Sequence, residues 1–200
     1  GGRGGKNPVE EMFETYKESD EDKIGPEGIM KLCEDMGIEP TDVRLLVFAW
    51  QLRASQQGYF SRQEWSQGVE MIRANSAQTL VSRLQVITQS LHAATNTAPF
   101  KDFYKFAFRF SRSAGQKSLD IDTVKVLLPM VLPGGHAHMT KLLDFLESDV
   151  GSKIKAFNED QWTSFLLFST QIAQDFSNFD PDGAWPSLLD DYVAFANPPA

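Results

Sequence analysis

The side chains best placed to act on another molecule are carboxylates near the C-terminus. Residues 156–200 contain seven Asp or Glu and no Lys or Arg, in a chain of 200 residues whose net charge is −8. A surface of one sign attracts a partner of the opposite sign. This pattern indicates a binding surface for a basic partner, although carboxylates that only keep a protein soluble would give it too. The seven residues are Glu159, Asp160, Asp175, Asp180, Asp182, Asp190 and Asp191.

Residues 178–196 predict how some of these carboxylates are displayed. Turn-forming residues precede Pro186, which suits a first helical position. The apolar residues after it recur at the spacing of one helix face, and Trp185 shares that spacing. Asp190 and Asp191 fall off this apolar stripe. We therefore expect a tight turn, held to a short helix by the tryptophan, with carboxylates exposed beside it.

Residues that could catalyse a reaction are few. Cys33 is the single cysteine, and apolar neighbours at helical spacing place it on a core face, which disfavours a reactive thiolate. His136 and His138 form an isolated H-x-H pair without a third metal ligand, a pattern more typical of a surface loop. We find no phosphate-binding glycine loop, no G-x-S-x-G and no H-E-x-x-H. The sequence therefore predicts no catalytic residue, no metal site and no cofactor.

Two helix–loop–helix segments in the first half have the phasing of EF-hands. In the second, the loop from Arg53 to Glu64 carries a glycine and a last carboxylate where a calcium loop requires them. Its first ligand position is Arg53, however, which would place a cation against Ca²⁺. When Ile24 is aligned with loop position 8, the first ligand position of the first loop is Lys17, which is also a cation. We interpret both segments as EF-hand-like units that lack metal ligands.

Local signals predict several helix ends. Pro40 and Thr41 are expected to open a helix. Asp122 is expected to cap another, in which Pro129 would be a kink or a stop. Two capping boxes are expected, formed by Ser61 with Glu64 and by Asn158 with Gln161.

Helical periodicity continues through the whole chain, with no convincing alternating strand. The sequence is 42% hydrophobic and has 15 Phe and 4 Trp, which is sufficient for a substantial core. We predict an all-α protein with two helical subdomains. Residues 1–7 are interpreted as a tail or a remnant of cloning. The expected halves are an EF-hand-like half at 8–91 and a C-terminal half at 100–200, with a joint at 92–99.

The composition disfavours several classes of partner. A pI near 4.9 argues against nucleic acid, and no apolar run reaches the ~18 residues of a membrane span. One cysteine cannot form an internal disulfide and fits a reducing compartment. Without a recognisable signal peptide, the expected localisation is intracellular, in the nucleus and cytoplasm.

Five longer strings of the sequence are characteristic enough to indicate a family. Three belong to the second half: FKDFYKFAFRFSRSAGQKSLDIDT (100–123), NEDQWTSFLLFST (158–170) and DPDGAWPSLLDDYVAF (180–195). Two belong to the EF-hand-like half: IGPEGIMKLCEDMGIEP (24–40) and AWQLRASQQGYFSRQEW (49–65). All five resemble the DCN-like proteins ("defective in cullin neddylation"). The resemblance covers about residues 8–196, essentially the whole potentiating-neddylation (PONY) domain of that family.

The resemblance implies a non-catalytic scaffold that promotes cullin neddylation. Its partners would be the C-terminal winged-helix domain of a cullin and the N-terminally acetylated conjugating enzyme of neddylation. The RING-box subunit on the cullin would supply the catalytic ligase surface and would be contacted only indirectly. Carried over by motif, the cullin-binding residues are Asp160, Ala184 and Asp190.

The resemblance also implies an apolar pocket for the acetylated N-terminal methionine of the conjugating enzyme. Gln57 is its polar member, and its amide would be available to a ligand because the loop that carries it should bind no metal. At the rim, the family often has an aliphatic residue where this chain has Pro26, and Gly58 is smaller than some of its counterparts. By motif position the lining residues are Ile29, Leu45, Leu46, Phe48, Leu52, Gln57, Phe60, Phe110, Leu127 and Met130.

Two alternatives from other functional classes stay open. One is a calcium-sensor-like EF-hand binding module, which the poor ligand set at Arg53 disfavours. The other is an unrecognised all-α enzyme, which the missing constellation of titratable residues disfavours. The apolar pocket residues could likewise be ordinary core.

Overall fold

The computed structural model describes residue 5 and residues 7–199. Within these residues there are ten α-helices, one short 3-10 helix and four strands of two residues each, so the all-α prediction is confirmed. Of the tail predicted at residues 1–7, residues 1–4 and 6 lie outside the described part. The chain divides into two compact units, an N-terminal unit that ends with Ala93 and a C-terminal unit that begins with Ala94. The functional halves inferred from the resemblance stay predictions.

The N-terminal unit contains two helix–loop–helix segments followed by a longer helix. Its strands pair antiparallel, with Ile24 opposite Phe60. This pairing joins the loop of the first segment to the loop of the second, and the EF-hand-like reading of these segments stays an interpretation. The helices are α1 (Pro8–Tyr16), α2 (Pro26–Met36), α3 (Val43–Gln51), α4 (Arg62–Ile72) and α5 (Ala77–Ala93), and the strands are β1 (Lys23–Ile24) and β2 (Phe60–Ser61).

Local signals set most helix ends of this unit. Helix α2 begins with a proline, and Gly37 caps its C-terminal end with a φ of +70°. Glycine adopts this left-handed conformation without strain because it has no Cβ. Ser61 and Glu64 form the predicted capping box of α4. Helix α3 was expected to open at Pro40 and Thr41. It begins at Val43 instead, because the Asp42 carboxylate accepts a hydrogen bond from the backbone N–H of Arg44 and caps the helix there.

Trp65 organises the core of the N-terminal unit. It is fully buried, and its indole N–H donates to the carbonyl oxygen of Val9 over 3.0 Å. The rings of Phe13, Tyr16 and Phe48 surround it, with centroids 6.2, 6.2 and 5.6 Å away. One residue of α4 thereby fixes α1 and α3, which explains why a short helical unit can hold its loops in place.

The C-terminal unit repeats the pattern of helices joined by loops that pair through short strands. Leu119 stands opposite Phe157 in its antiparallel strand pair. A 3-10 helix, Gly151–Lys153, precedes the second strand. The helices are α6 (Ala98–Ser111), α7 (Ile121–Val131), α8 (Met139–Glu147), α9 (Glu159–Gln171) and α10 (Ser187–Ala196), and the strands are β3 (Leu119–Asp120) and β4 (Ala156–Phe157).

Three helix boundaries of this unit differ from expectation. Asp120, not Asp122, caps α7, because its carboxylate accepts from the backbone N–H of Thr123 at 3.0 Å. Pro129 was expected to kink or stop that helix, but it lies inside α7, which continues to Val131. Pro186 precedes the first residue of α10 rather than occupying it. The Asn158–Gln161 capping box predicted for α9 is confirmed.

Trp162 and Tyr104 clamp α9 to α6. Both side chains are fully buried, and their rings stack with centroids 4.5 Å apart. The Trp162 indole N–H donates to the carbonyl oxygen of Tyr104 at 2.9 Å, and the Tyr104 hydroxyl donates to the carbonyl oxygen of Trp162 at 2.8 Å. This reciprocal pair satisfies every polar atom that the two rings bury. The first turn of α9 is therefore held in a defined position.

Candidate functional site

Asp160 lies in the first turn of α9 and is exposed. Its neighbour Glu159 is engaged within the fold, because both its oxygens accept from Arg109, at 2.6 and 3.1 Å. This contact lowers the pKa of Glu159 below its ordinary value. The Asp160 carboxylate, in contrast, forms no ion pair with any residue that the structure describes. Of these two adjacent carboxylates, Asp160 is the one available to a partner.

Ala184 lies in the turn that precedes α10, and it is exposed. The turn is closed locally, since the Asp180 carboxylate accepts from the backbone N–H of Asp182 at 2.9 Å. Trp185 was expected to share the apolar face of α10. It instead precedes that helix and packs edge-on against Phe168 of α9, with ring centroids 5.2 Å apart. Ala184 is therefore presented from a turn that is fixed to α9.

Asp190 and Asp191 are exposed on α10, as predicted. The opposite side of this helix is buried through Leu188, Leu189, Tyr192 and Val193. Tyr192 carries the packing, because its ring meets those of Phe145, Phe168, Phe176 and His138 at centroid distances of 5.8–6.0 Å. Asp190 thus extends to solvent from a helix that is firmly packed on its other face.

Phe168 of α9 connects the segments that carry the three predicted cullin-binding residues. Its ring contacts Trp185 beside Ala184, and Tyr192 two residues after Asp190. Asp160 precedes Phe168 by eight residues on the same helix, which corresponds to roughly 12 Å along the helix axis. All three predicted residues are therefore exposed positions of the C-terminal unit, on α9 or on segments packed against it. Their role in binding stays a prediction.

His138 is a part of this unit that the sequence reading placed wrongly. It was expected in a surface loop, yet it is only 5% exposed. Its Nε2 lies 2.9 Å from the carbonyl oxygen of Ile172 and its Nδ1 2.9 Å from the Tyr192 hydroxyl. A carbonyl oxygen only accepts, so Nε2 carries a proton, and in the neutral ring Nδ1 then accepts from the tyrosine hydroxyl. Burial favours this neutral form by lowering the pKa of the ring, and the ring ties the end of α9 to α10.

Acidification should destabilise the protein through this histidine. Burial lowers the pKa of His138 below its ordinary value of 6.5, and the charge of Lys141 acts in the same direction. The unfolded chain takes up a proton near that value and the folded chain resists it. The free energy of unfolding is therefore fully retained above about pH 6.5 and decreases as the pH falls below it.

We expect His138→Asn, which tolerates the observed φ of +65°, to lower the free energy of unfolding but to weaken its dependence on pH. Denaturant titrations between about pH 8 and about pH 5.5 measure both quantities. His136 also has a lowered pKa because of burial, so some dependence on pH should remain in the variant. An unchanged slope below pH 6.5 would contradict the role given to His138.

The predicted pocket residues are mostly core within their own units. Phe48 is fully buried and its ring contacts Phe60, with centroids 5.5 Å apart. Leu45 is half-buried and Gln57 is exposed. Buried members of the N-terminal unit are Ile29, Leu46, Phe48, Leu52 and Phe60. In the C-terminal unit Leu127 is buried and Phe110 and Met130 are half-buried. The pocket itself stays a prediction.

The loop that resembles a calcium loop uses its last carboxylate internally. Glu64 accepts from the backbone N–H and the hydroxyl of Ser55 at 3.0 and 2.8 Å, and from the backbone N–H of Ser61 at 2.9 Å. Within residues 7–199 no three His, Cys, Asp or Glu side chains are grouped as a metal site requires. Cys33 is buried, and burial raises the pKa of its thiol. None of the helices in this part of the chain has the length and apolar character that a membrane crossing requires.

A family model and individual relatives both indicate the same family for this chain. Residues 79–195 match the family model described as "Cullin binding". The chain is 43% identical to human DCN1-like protein 4 over 183 residues, which are 92% of this chain and 60% of that protein. It is 39% identical to rat DCN1-like protein 5 over 181 residues, which are 90% of this chain and 73% of that protein. The chain thus spans about three fifths of the length of the human relative. The resemblance found in the sequence is confirmed, and the chain belongs to the DCN-like family.

Proposed function

We propose that this chain binds a cullin and promotes its neddylation. The observation that carries the proposal is the exposure of Asp160, Ala184 and Asp190 on the C-terminal unit, within the segment that matches the cullin-binding family model. The partner surface would be the C-terminal winged-helix domain of the cullin. DCN1-like relatives at about 40% identity support a role in cullin neddylation.

The negative charge of the C-terminal segment favours a partner with a basic surface. The C-terminal 45 residues contain seven carboxylates and no basic side chain, so they attract a basic surface and accelerate its association. Asp160 also stands in the first turn of α9, where a carboxylate is stabilised by the helix dipole. The two roles are compatible, because the dipole acts on the charge whether or not a partner covers it.

In the proposed mechanism this chain brings the conjugating enzyme close to the cullin and catalyses no step itself. Holding the charged conjugating enzyme near the target lysine of the cullin raises its effective concentration and restricts its orientation. The RING-box subunit on the cullin would supply the catalytic ligase surface. The carboxylates of the proposed surface, Asp160 and Asp190, can accept hydrogen bonds and form ion pairs with a basic partner.

The conjugating enzyme would dock through its acetylated N-terminal methionine. A free α-ammonium loses hydration on burial and needs a carboxylate to replace it, whereas an acetyl amide is neutral and needs only hydrogen bonds. Burial of the methionine side chain adds about 1.5–3 kcal/mol. Gln57 suits the amide, because its exposed side chain makes no hydrogen bond with the described residues.

We expect an acetylated peptide of the enzyme's N-terminus to bind at least about tenfold more tightly than the unacetylated peptide, a difference of ~1.4 kcal/mol. Calorimetry with both peptides measures this ratio. Leu52→Asp would disturb the N-terminal unit itself, because Leu52 is buried against Gly68. Gln57→Ala is the cleaner variant, with the exposed Gln56→Ala as its control. Equal affinities of the two peptides would refute acetyl recognition, and full binding by Gln57→Ala would refute the residue assignment.

A pull-down with recombinant cullin C-terminal domain separates the competing functions most cheaply. The proposed scaffold retains the cullin domain with or without calcium. A calcium-sensor-like module would retain its partner only when calcium is present. The structure disfavours this behaviour, because the Glu64 carboxylate, the last ligand of a calcium loop, already accepts hydrogen bonds from Ser55 and Ser61. An unrelated all-α enzyme would not retain the cullin domain at all.

A further inference from the structure

A groove runs between α6 and α9 beside Asp160. Its volume is about 380 Å³, which is sufficient for one or two side chains of a partner. We call it the α6–α9 groove. Helix α6 contributes three of its lining residues and α9 contributes the other five. The lining residues are Lys101, Tyr104, Lys105, Asp160, Thr163, Ser164, Leu166 and Leu167.

The α6 wall of this groove is basic. Lys101, Lys105 and Arg109 follow one another at intervals of four residues, so they form one stripe along the helix. Glu159 neutralises Arg109 with two hydrogen bonds. Both lysines are exposed, and neither forms an ion pair with a residue that the structure describes. The α6 side of the groove therefore carries two ammonium groups that form no direct ion pair, and Glu159 interacts with Lys105 only at longer range.

The α9 side of the groove carries one carboxylate and apolar side chains. Asp160 stands at the N-terminal end of this side. Tyr104 and Leu166 are buried, and the Tyr104 hydroxyl is already bonded to Trp162. Leu167 is 41% exposed, which leaves an apolar contact point in the groove. The groove thus combines apolar groups with a carboxylate from α9 and two ammonium groups from α6.

We propose that the α6–α9 groove recognises a partner surface of both signs, with a basic side chain for Asp160 and a carboxylate for Lys101 and Lys105. The proposal rests on the cullin-binding function proposed above and specifies the partner surface that the function requires. A uniformly basic surface would bring like charges against the two lysines, and unfavourable juxtaposition of this kind excludes wrong partners. An apolar side chain of the partner, placed between its two charges, would cover Leu167. The lysines would thereby select among cullin domains by the presence of that carboxylate.

Charge reversal on α6 tests the proposal, because the affinity for the cullin domain should change in opposite directions for a two-sign partner surface and for a purely basic one. If the partner surface is only basic, Lys101→Glu or Lys105→Glu makes this chain more acidic and strengthens binding. If the partner supplies a carboxylate, each variant weakens binding. We expect Lys101→Glu and Lys105→Glu to reduce the affinity for the cullin winged-helix domain at least about tenfold in calorimetry. Lys153→Glu is the matched control, because this exposed lysine lies elsewhere in the same unit and gives the same change in net charge.

Lys105→Gln removes the positive charge without adding repulsion against nearby Glu159, so it keeps the test valid if Lys105→Glu disturbs α9. It should weaken binding too, by a smaller factor. Substitution of one carboxylate of the cullin domain by lysine should restore binding to Lys105→Glu, which locates the partner group. Affinities equal to that of the Lys153→Glu control, or higher, would overturn the two-sign groove. Unchanged binding by Asp160→Lys would instead overturn the proposed function.

Discussion

Asp190→Lys is expected to lower the affinity for the cullin winged-helix domain at least a hundredfold, ~2.7 kcal/mol, and to leave the fold intact. Asp190 is exposed on α10, so its replacement removes no packing. In the complex the new ammonium group would face a basic surface, and forced like-charge contacts at an interface cost several kcal/mol. Loss of one exposed ion pair alone would remove only ~0.2–1 kcal/mol. Asp160→Lys should behave in the same way.

The neighbouring residue provides a matched control for this prediction. Asp191 is equally exposed and is adjacent in the chain, so Asp191→Lys makes the same change in net charge outside the proposed patch. It should weaken binding less than about tenfold, through long-range electrostatics alone. Calorimetry gives both affinities and circular dichroism checks the fold. Equal losses in Asp190→Lys and Asp191→Lys would show that overall charge, rather than a defined patch, governs binding.

Trp162→Ala is expected to destabilise the C-terminal unit by about 3–5 kcal/mol. The substitution opens a cavity beneath α9, and it leaves the carbonyl oxygen of Tyr104 without the indole N–H that it accepts at 2.9 Å. Stacking over a centroid distance of 4.5 Å is lost as well. The free energy of unfolding from denaturant titration measures the effect.

Leu167→Ala, at an exposed position of the same helix, serves as the control for stability and should change the free energy of unfolding by less than about 1 kcal/mol. Trp162→Ala should also weaken cullin binding, because the first turn of α9 carries Asp160 and depends on this clamp. A loss of stability below ~1 kcal/mol on Trp162→Ala would mean that α9 is held by other contacts.

Helices and their ends could be predicted where the signal is local. Proline at the start of α2, glycine at its end and the capping boxes of α4 and α9 act within four residues. Errors arose where two nearby residues could serve as the cap. Asp120 and Asp122 are both suitable in type, and only the strand pair before α7 places Asp120 at the N-cap.

Long-range packing was the part that sequence reasoning missed. Trp185 fits the apolar spacing of α10, yet it contacts Phe168, 17 residues earlier. His138 looked like a loop residue, because nothing near it in sequence indicates bonds to Ile172 and Tyr192, 34 and 54 residues away. Buried histidines of this kind are recognisable only once their partners are placed.

The same limit applies to the candidate site. The exposure of Asp190 followed from the helical spacing of its apolar neighbours, whereas Asp160 was assigned only through the family resemblance. The lysines of α6 carried no such signal. Lys105 lines the groove with Asp160, 55 residues later in the chain, through the Tyr104–Trp162 clamp. A charge count over the C-terminal segment therefore indicated a purely acidic surface, whereas the fold adds a basic wall.

The central claim is that the exposed patch on the C-terminal unit binds a cullin, and titration of the cullin winged-helix domain into this protein tests it most directly. Calorimetry of the unaltered chain should give a saturable complex of one to one, with an affinity that falls as salt is raised. Ala184→Arg, which adds a bulky cation at an exposed position, should abolish the heat of binding while circular dichroism shows an unchanged fold. Absence of binding by the unaltered chain, or full binding by Ala184→Arg, would contradict the claim.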